Sequence, residues 1–248
     1  MNENNVKIAV IGLGYVGLPL AIEFSRHFSV IGYDLNRNRI EQLKKGFDKT
    51  KELSKDEIIN SGNLHFVSEP QELIKSNIYI ITVPTPVNRN NIPDLKPLRN
   101  ASKLVGSILK KNDLVIYEST VFPGATQNIC VPILEKISKL EYNKEFFCGY
   151  SPERINPGDK QHSLSNTIKI TSGSNAKTAK YVNALYNKIV KVGTHSVESI
   201  EVAEAAKVIE NIQRDVNIAL INELSMIFNK LELDTEEVLK AAGTKWNF

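Results

Sequence analysis

The stretch Val6-Lys7-Ile8-Ala9-Val10-Ile11-Gly12-Leu13-Gly14-Tyr15-Val16-Gly17 decides the fold. An apolar run of strand length, Val6–Ile11, stops at a glycine, and a helical pattern, Tyr15–Arg26, takes over. Between them the glycines fall at G-x-G-x-x-G spacing. Gly12 allows the tight turn, Gly14 lets backbone approach an anion, and Gly17 lets helix and strand pack closely. Unpaired N–H groups and the helix dipole then face a diphosphate. Asp34 ends the next strand, where its carboxylate accepts from the ribose hydroxyls of an adenosine and repels a 2′-phosphate. The expected cofactor is therefore NAD rather than NADP, held by Gly12, Gly14, Tyr15, Val16, Gly17 and Asp34. Arg37 and Arg39 lie where they would soften that preference, and Arg39 is counted with the cofactor contacts. The alternative is a glycine turn that serves packing alone.

Outward from this turn, strand-like runs alternate with helical patterns, the signature of a parallel sheet covered on both faces. Phe28–Asp34, Leu64–Val67, Ile78–Val83, Leu114–Glu118, Phe146–Tyr150, Thr167–Thr171 and Ile189–Val192 continue the strand series. Helices are expected over Asn36–Lys45 and about Ala176 to Asn187, with a loop and a short helix in Gly46–Asn60. From Val197 to about Leu231 there is no Gly or Pro, which predicts one helix of about 50 Å. From Val216 onward it is apolar on nearly every side, so it is expected to be buried all round, in a second domain or against another subunit. Asp234 caps a short helix ending near Gly243. The expected fold is α/β: a doubly wound, mostly parallel Rossmann-type domain over 1–194, then the long helix and the start of an all-α central domain over 195–248.

The charges nearly balance, 31 basic against 28 acidic for a net of +3, and no basic stripe with aromatics appears, which speaks against nucleic acid. No apolar run approaches the ~20 residues of a membrane span, and Met1–Asn5 carries no signal pattern; a cytoplasmic protein is expected. Cys130 and Cys148 fit neither metal-ligand spacing nor a disulfide framework and read as core thiols. His27, His65, His162 and His195 form no ligand pattern, so no metal is expected.

Three further segments each follow a strand: Val83-Pro84-Thr85-Pro86, Glu118-Ser119-Thr120-Val121-Phe122-Pro123-Gly124, and Ser151-Pro152-Glu153-Arg154. Open α/β sheets place ligands past the carboxyl ends of strands. With the glycine turn and Lys207-x-x-x-Asn211, the chain resembles the UDP-glucose/GDP-mannose dehydrogenase family over essentially its whole length. Residues 151–160 and the ending Gly-Thr-Lys-Trp-Asn-Phe, 243–248, look most like its UDP-N-acetylhexosamine 6-dehydrogenases. The resemblance implies oxidation of a sugar C6 alcohol to a carboxylate with two NAD, through an aldehyde and a cysteine thiohemiacetal, for surface polysaccharide. UDP-N-acetylglucosamine or its galactosamine epimer is the implied substrate.

Carried over residue by residue, the resemblance makes Thr120, Glu153, Lys207 and Asn211 catalytic. Val83, Pro84, Thr85, Ser119 and Thr120 join the cofactor contacts, and Glu153, Arg154, Lys207, Asn211 and Arg214 the substrate contacts. Each has a plainer alternative. Val83–Pro86 is also a rigid loop, Thr120 also a turn hydroxyl satisfying local backbone, and Glu153 also an ion pair with Arg154. Lys207, Asn211 and Arg214 share one helix face at i, i+4 and i+7, as a solvated polar stripe would. A cation and a donor there would otherwise stabilise the oxyanion that develops at C6. A second family glutamate, four positions after Glu153, is here Pro157, so its role does not carry over.

The family nucleophile lies in a Gly-Gly-His-Cys-like segment beyond Phe248, and neither cysteine here matches it. The chain thus reads as truncated relative to its relatives and unable to complete the reaction alone, with a separate C-terminal partner chain as one way to complete it. The long helix is expected to form a homodimer. A non-catalytic NAD-binding or dimerising remnant and a hydroxyacid dehydrogenase are the competing readings.

Overall fold

A computed structural model describes residues 6–156 and 163–248. Expectations that fall on Met1–Asn5, on Pro157 to Lys160 of the 151–160 stretch, and on His162 lie outside the described residues. Two compact units divide the chain, Met1–Lys207 and Val208–Phe248.

The first unit is built on an eight-stranded sheet in the order β3-β2-β1-β4-β5-β6-β7-β8. Its strands are β1 (Lys7–Ile11), β2 (Ser29–Tyr33), β3 (Leu64–Val67), β4 (Ile78–Ile81), β5 (Leu114–Tyr117), β6 (Phe147–Tyr150), β7 (Lys169–Gly173) and β8 (Thr194–Ser196). Pairing is parallel except between β6 and β7. The fold is therefore the doubly wound, mostly parallel α/β class expected.

Alternation along the strands generates two cores. Ala9 and Ile11 of β1 face one, with Leu98 and Val105 of α4 (Lys96–Gly106) and Leu134 of α5 (Val131–Ser138). Ile8 and Val10 face the other, with Leu18 of α1 (Gly17–Ser25), Ile40 of α2 (Arg37–Lys44), Ile58 of α3 (Lys55–Ile59) and Val182 of α6 (Ala176–Tyr186). Because both faces are covered, the inner strands read as unbroken apolar runs. Helix starts follow side-chain caps: Asn36 accepts from Arg39 N, Asn175 from Thr178 N, and Ser54 with Glu57 completes a capping box.

Two boundaries differ from the sequence reading. β7 begins at Lys169 and runs to Gly173, two residues later than expected. Ile189–Val192 is not a strand. Ile189 and Val190 are buried, yet their N–H groups donate to Tyr186 O in the turn that closes α6. The edge strand is instead the polar Thr194–Ser196, entered through Gly193 at φ +89°. An apolar run this short does not distinguish a helix's closing turn from a strand.

Helix α7 (Ile200–Lys230) starts in the first unit, where Ile200 and Ala203 join the core that contains α4. In the second unit it continues from Val208, and α8 (Thr235–Ala242) follows, with the Asp234 side chain accepting from Glu237 N. The expectation of all-round burial is not met within the chain: Val216 is 58% exposed and Leu220 53%. Two helices offer too little apolar surface to cover one another. Among the described residues no helix is long and apolar enough to cross a membrane.

Candidate active site

A cleft of about 540 Å³ opens at the carboxyl ends of the strands, where the order reverses between β1 and β4. Open α/β sheets bind ligands at this switch point. Its lining comes from the loops after β1 (Gly12 to Val16), β2 (Asp34, Asn36), β4 (Thr82 to Pro86), β5 (Glu118 to Thr120) and β6 (Glu153), with Arg39, Lys49 and Thr50 beside them.

The glycine turn is constrained by its own backbone. Gly12 sits at φ +99°, and its N–H donates to Tyr33 O at 2.9 Å. A Cβ on Gly17 would lie 1.9 Å from Gly12 O and 2.3 Å from Thr82 Oγ1, so only glycine fits. Gly14 is different: a Cβ there would meet nothing within 4 Å. The cradle at Gly14 is open, sized for a group from outside the chain, and fits a diphosphate. Asp34 stands beside it, accepting from Leu13 N and Asn36 N at 2.9 Å each. The carboxylate thus lines the same cleft as Gly14, as the dinucleotide reading requires.

Arg39 is buried, and it braces the turn. Its Nε donates to Leu13 O at 3.0 Å and its Nη2 to Asp48 at 2.7 Å, while Nη1 is buried without a partner. Burial works against the charged Asp48, but hydrogen bonds from Thr50 and Arg39 outweigh it and hold the carboxyl below its ordinary value. Arg37 pairs with Glu69 at 2.7 Å on the surface. Both guanidiniums near the place of a 2′-phosphate are already paired with carboxylates.

On the far side, Ser119 Oγ donates to Val83 O at 2.6 Å and ties the β4 and β5 loops together. Thr85 Oγ1 is buried without a partner at the cleft. Thr120 is exposed to the cleft, and among the described residues no hydrogen bond engages its hydroxyl. A turn hydroxyl satisfying local backbone would be engaged.

Behind this wall lies a charge cluster that the sequence reading missed. Glu118 is fully buried; one oxygen accepts from Lys169 Nζ at 2.6 Å and the other from the Tyr186 hydroxyl. Lys169 also faces Glu153 Oε2 at 3.7 Å. Glu153 Oε1 accepts from the backbone N–H groups of Arg154 and Ile155, both at 2.7 Å, and Arg154 Nη1 donates to Ile168 O. Glu153 is therefore held by two amides and by Lys169. Burial pushes the Glu118 carboxyl up, with Lys169 pulling against it. For Lys169, burial is outweighed by the attraction of Glu118 and Glu153, and its ammonium is held above its ordinary range. No local signal marks Lys169, which alternation between Ile168 and Ile170 reads as facing solvent.

A second missed carboxylate is Glu204 in the first turns of α7. It is fully buried and accepts from Gly124 N at 2.6 Å, Thr126 N at 2.9 Å and Thr126 Oγ1 at 2.6 Å. It caps, from another element, the π-helical turn Thr126–Cys130 that leads into α5, and so fixes the far end of the loop carrying Thr120. Lys207 lies one turn beyond it, at the end of the first unit. Asn211 and Arg214 belong to the second unit, where Arg214 Nη1 reaches Asn211 Oδ1 at 3.5 Å, consistent with a shared face.

Both thiols are in the core. Burial pushes Cys130 up to about 11 and Cys148 well above its ordinary value, so neither is a ready nucleophile. His27, His65 and His195 are exposed, and among the described residues no group of three His, Cys, Asp or Glu is placed to hold a metal.

Residues 6–190 match the NAD-binding domain of the UDP-glucose/GDP-mannose dehydrogenase family, and 201–248 match the family's central domain. The chain belongs to this family. It is 57% identical to UDP-N-acetyl-D-glucosamine 6-dehydrogenase of Pseudomonas aeruginosa, over 98% of this chain and 58% of that one. It is 53% identical to Protein CapL of Staphylococcus aureus, over 100% of this chain and 58% of that one. Among solved structures, the UDP-D-ManNAc dehydrogenase of Pyrococcus horikoshii superposes with a TM-score of 0.90 at 32% identity, covering 98% of this chain and 59% of that one. The chain thus spans about 58% of the length of the curated relatives it matches. Its first unit carries the family's NAD-binding domain.

Proposed function

We propose that the chain is the NAD-binding and helix-forming part of a nucleotide-sugar 6-dehydrogenase that oxidises the C6 alcohol of a UDP-N-acetylhexosamine. The observation that carries this is one cleft lined both by the glycine turn with Asp34 and by Ser119, Thr120 and Glu153. Family membership and the names of the relatives favour UDP-N-acetylglucosamine over a hydroxyacid.

Bound NAD supplies the hydride acceptor. The chain's own residues divide the remaining work. Gly12 to Gly17 hold the diphosphate, Asp34 the adenosine ribose, and Arg39, with its unengaged Nη1, borders the same end. Val83, Pro84, Thr85 and Ser119 wall the cleft. Thr120 offers a free hydroxyl to a substrate oxygen or a water, and Glu153, fixed by two amides and Lys169, takes the proton that leaves the C6 hydroxyl. Lys207 and Asn211 stabilise the developing oxyanion, and Arg154 and Arg214 contribute to substrate binding.

Residues 1–194 form the cofactor domain and 195–248 the linking helix and the start of a helical dimerisation domain. A homodimer through α7 would cover Val216, Leu220 and their neighbours. The reading places the protein in the cytoplasm, in surface polysaccharide synthesis.

The family resemblance implies that oxidation to the acid passes through a covalent thiohemiacetal. Cys130 and Cys148 are buried away from the cleft, so a thiol from a further segment or partner chain must supply it. The test incubates the chain with NAD and UDP-N-acetylglucosamine and follows NADH and uronate. The expected result is NAD binding without uronate; uronate from the isolated chain would overturn the division of labour. A chain that bound NAD but stayed inert with every added C-terminal partner would instead favour a non-catalytic remnant.

A further inference from the structure

We propose that the buried Glu118–Lys169–Glu153 cluster sets the redox preference of the cleft, its net negative charge favouring the oxidised, cationic nicotinamide ring over the reduced, neutral one. The inference rests on the NAD reading above and deepens it by assigning the discrimination to named residues. A buried ammonium needs one carboxylate for neutrality, and here it has two, Glu118 at 2.6 Å and Glu153 at 3.7 Å. The excess negative charge sits where Glu118 is fully buried and Glu153 nearly so, which is costly unless a ligand charge offsets it.

Position matters as much as count. Glu118 and Glu153 line the cleft, while Lys169 stands behind them and does not. A ligand therefore meets the carboxylates first and the cation at a distance. The remaining charged lining residues, Asp34, Arg39 and Lys49, come from the loop after β2, from α2 and from the loop after α2, on the adenosine side of the proposed site. The field reaches the opening: the Tyr15 phenol is raised by burial and then by the charges of Glu153 and Glu52. Both oxygens of Glu118 accept, from Lys169 and from Tyr186, which is the pattern of an ionised group.

Glu118→Gln tests the charge while keeping the shape, because the amide can accept from Lys169 and donate to the Tyr186 oxygen. Dissociation constants for NAD⁺ and NADH are measured side by side on the full chain, wild type and variant. In Glu118→Gln the ratio of the NAD⁺ constant to the NADH constant should rise roughly five- to twenty-fold, the range for one unit charge across a partly buried cleft. The NADH constant itself should barely move. Glu153→Gln should shift the ratio the same way and serves if the first variant fails to fold. Lys169→Met, which removes the cation, should leave the ratio unchanged or lower it. Glutamine variants that weaken both dinucleotides equally, or leave the ratio unmoved, overturn the proposal while the NAD reading stands. A wild-type chain that binds neither dinucleotide overturns both.

Discussion

At the β1 end of the cleft the chain presents backbone: two glycines, Gly12 and Gly14, the approach to a helix start, and one carboxylate, Asp34, locked by two amides. At the β5–β6 end it presents side chains, Glu118, Thr120 and Glu153, backed by Lys169 of β7 and Tyr186 of α6 in a buried ion cluster, while Glu204 of α7 caps the loop from behind. The first end is made by geometry that a single methyl group would spoil. The second is made by charges that are stable only together. One half leaves no room for a side chain at Gly17, and the other depends on a cation between two buried carboxylates.

Substitutions can break this contrast in order of expected size. Lys169→Met strands Glu118 and Glu153 without a cation, and should cost about 3–5 kcal/mol in urea unfolding at neutral pH. A loss under 1 kcal/mol would mean that the cluster is not held by charge. Gly17→Ala forces a Cβ into Gly12 O and should cost about 2–3 kcal/mol, with NADH binding lost as the turn shifts. If Gly17→Ala were neutral by the same unfolding assay, the close packing of turn and helix would be wrong. Glu204→Gln leaves one of the donors at Gly124 and Thr126 facing an amide N–H, for about 1–2 kcal/mol. Hydrogen exchange should quicken at those two amides and not at the glycine turn. Gly14→Ala is the smallest in stability, within about 0.5 kcal/mol, because nothing in the chain occupies that space. Its effect should appear instead as at least a roughly tenfold weaker NADH constant, about 1.4 kcal/mol of binding.

The same contrast explains what could be read from the sequence. The glycine turn and Asp34 are bound by local rules, so strand, turn, helix and carboxylate were legible in order, as were the loops after β4, β5 and β6. Lys169, Tyr186 and Glu204 come from elements far along the chain, and nothing local distinguishes them from an edge-strand lysine, a core tyrosine and a helix-surface glutamate. Their meaning arises only where β7 and α6 pack beside β6, and where α7 meets the loop after β5. The strand at Thr194–Ser196 was missed for a related reason: Ile189 and Val190 supplied a stronger apolar signal, yet they close a helix. The apolar surface of α7 is legible in the sequence, but what covers it lies outside the chain's own contacts.

The central claim is that open backbone at Gly14 holds a diphosphate while Asp34 selects the unphosphorylated ribose beside it. Calorimetric titration of the chain with NADH and, separately, NADPH tests it most directly. The account predicts saturable binding of one NADH per chain, with NADPH weaker by roughly tenfold or more. Equal affinities, or no heat from NADH at high micromolar concentration, would contradict it.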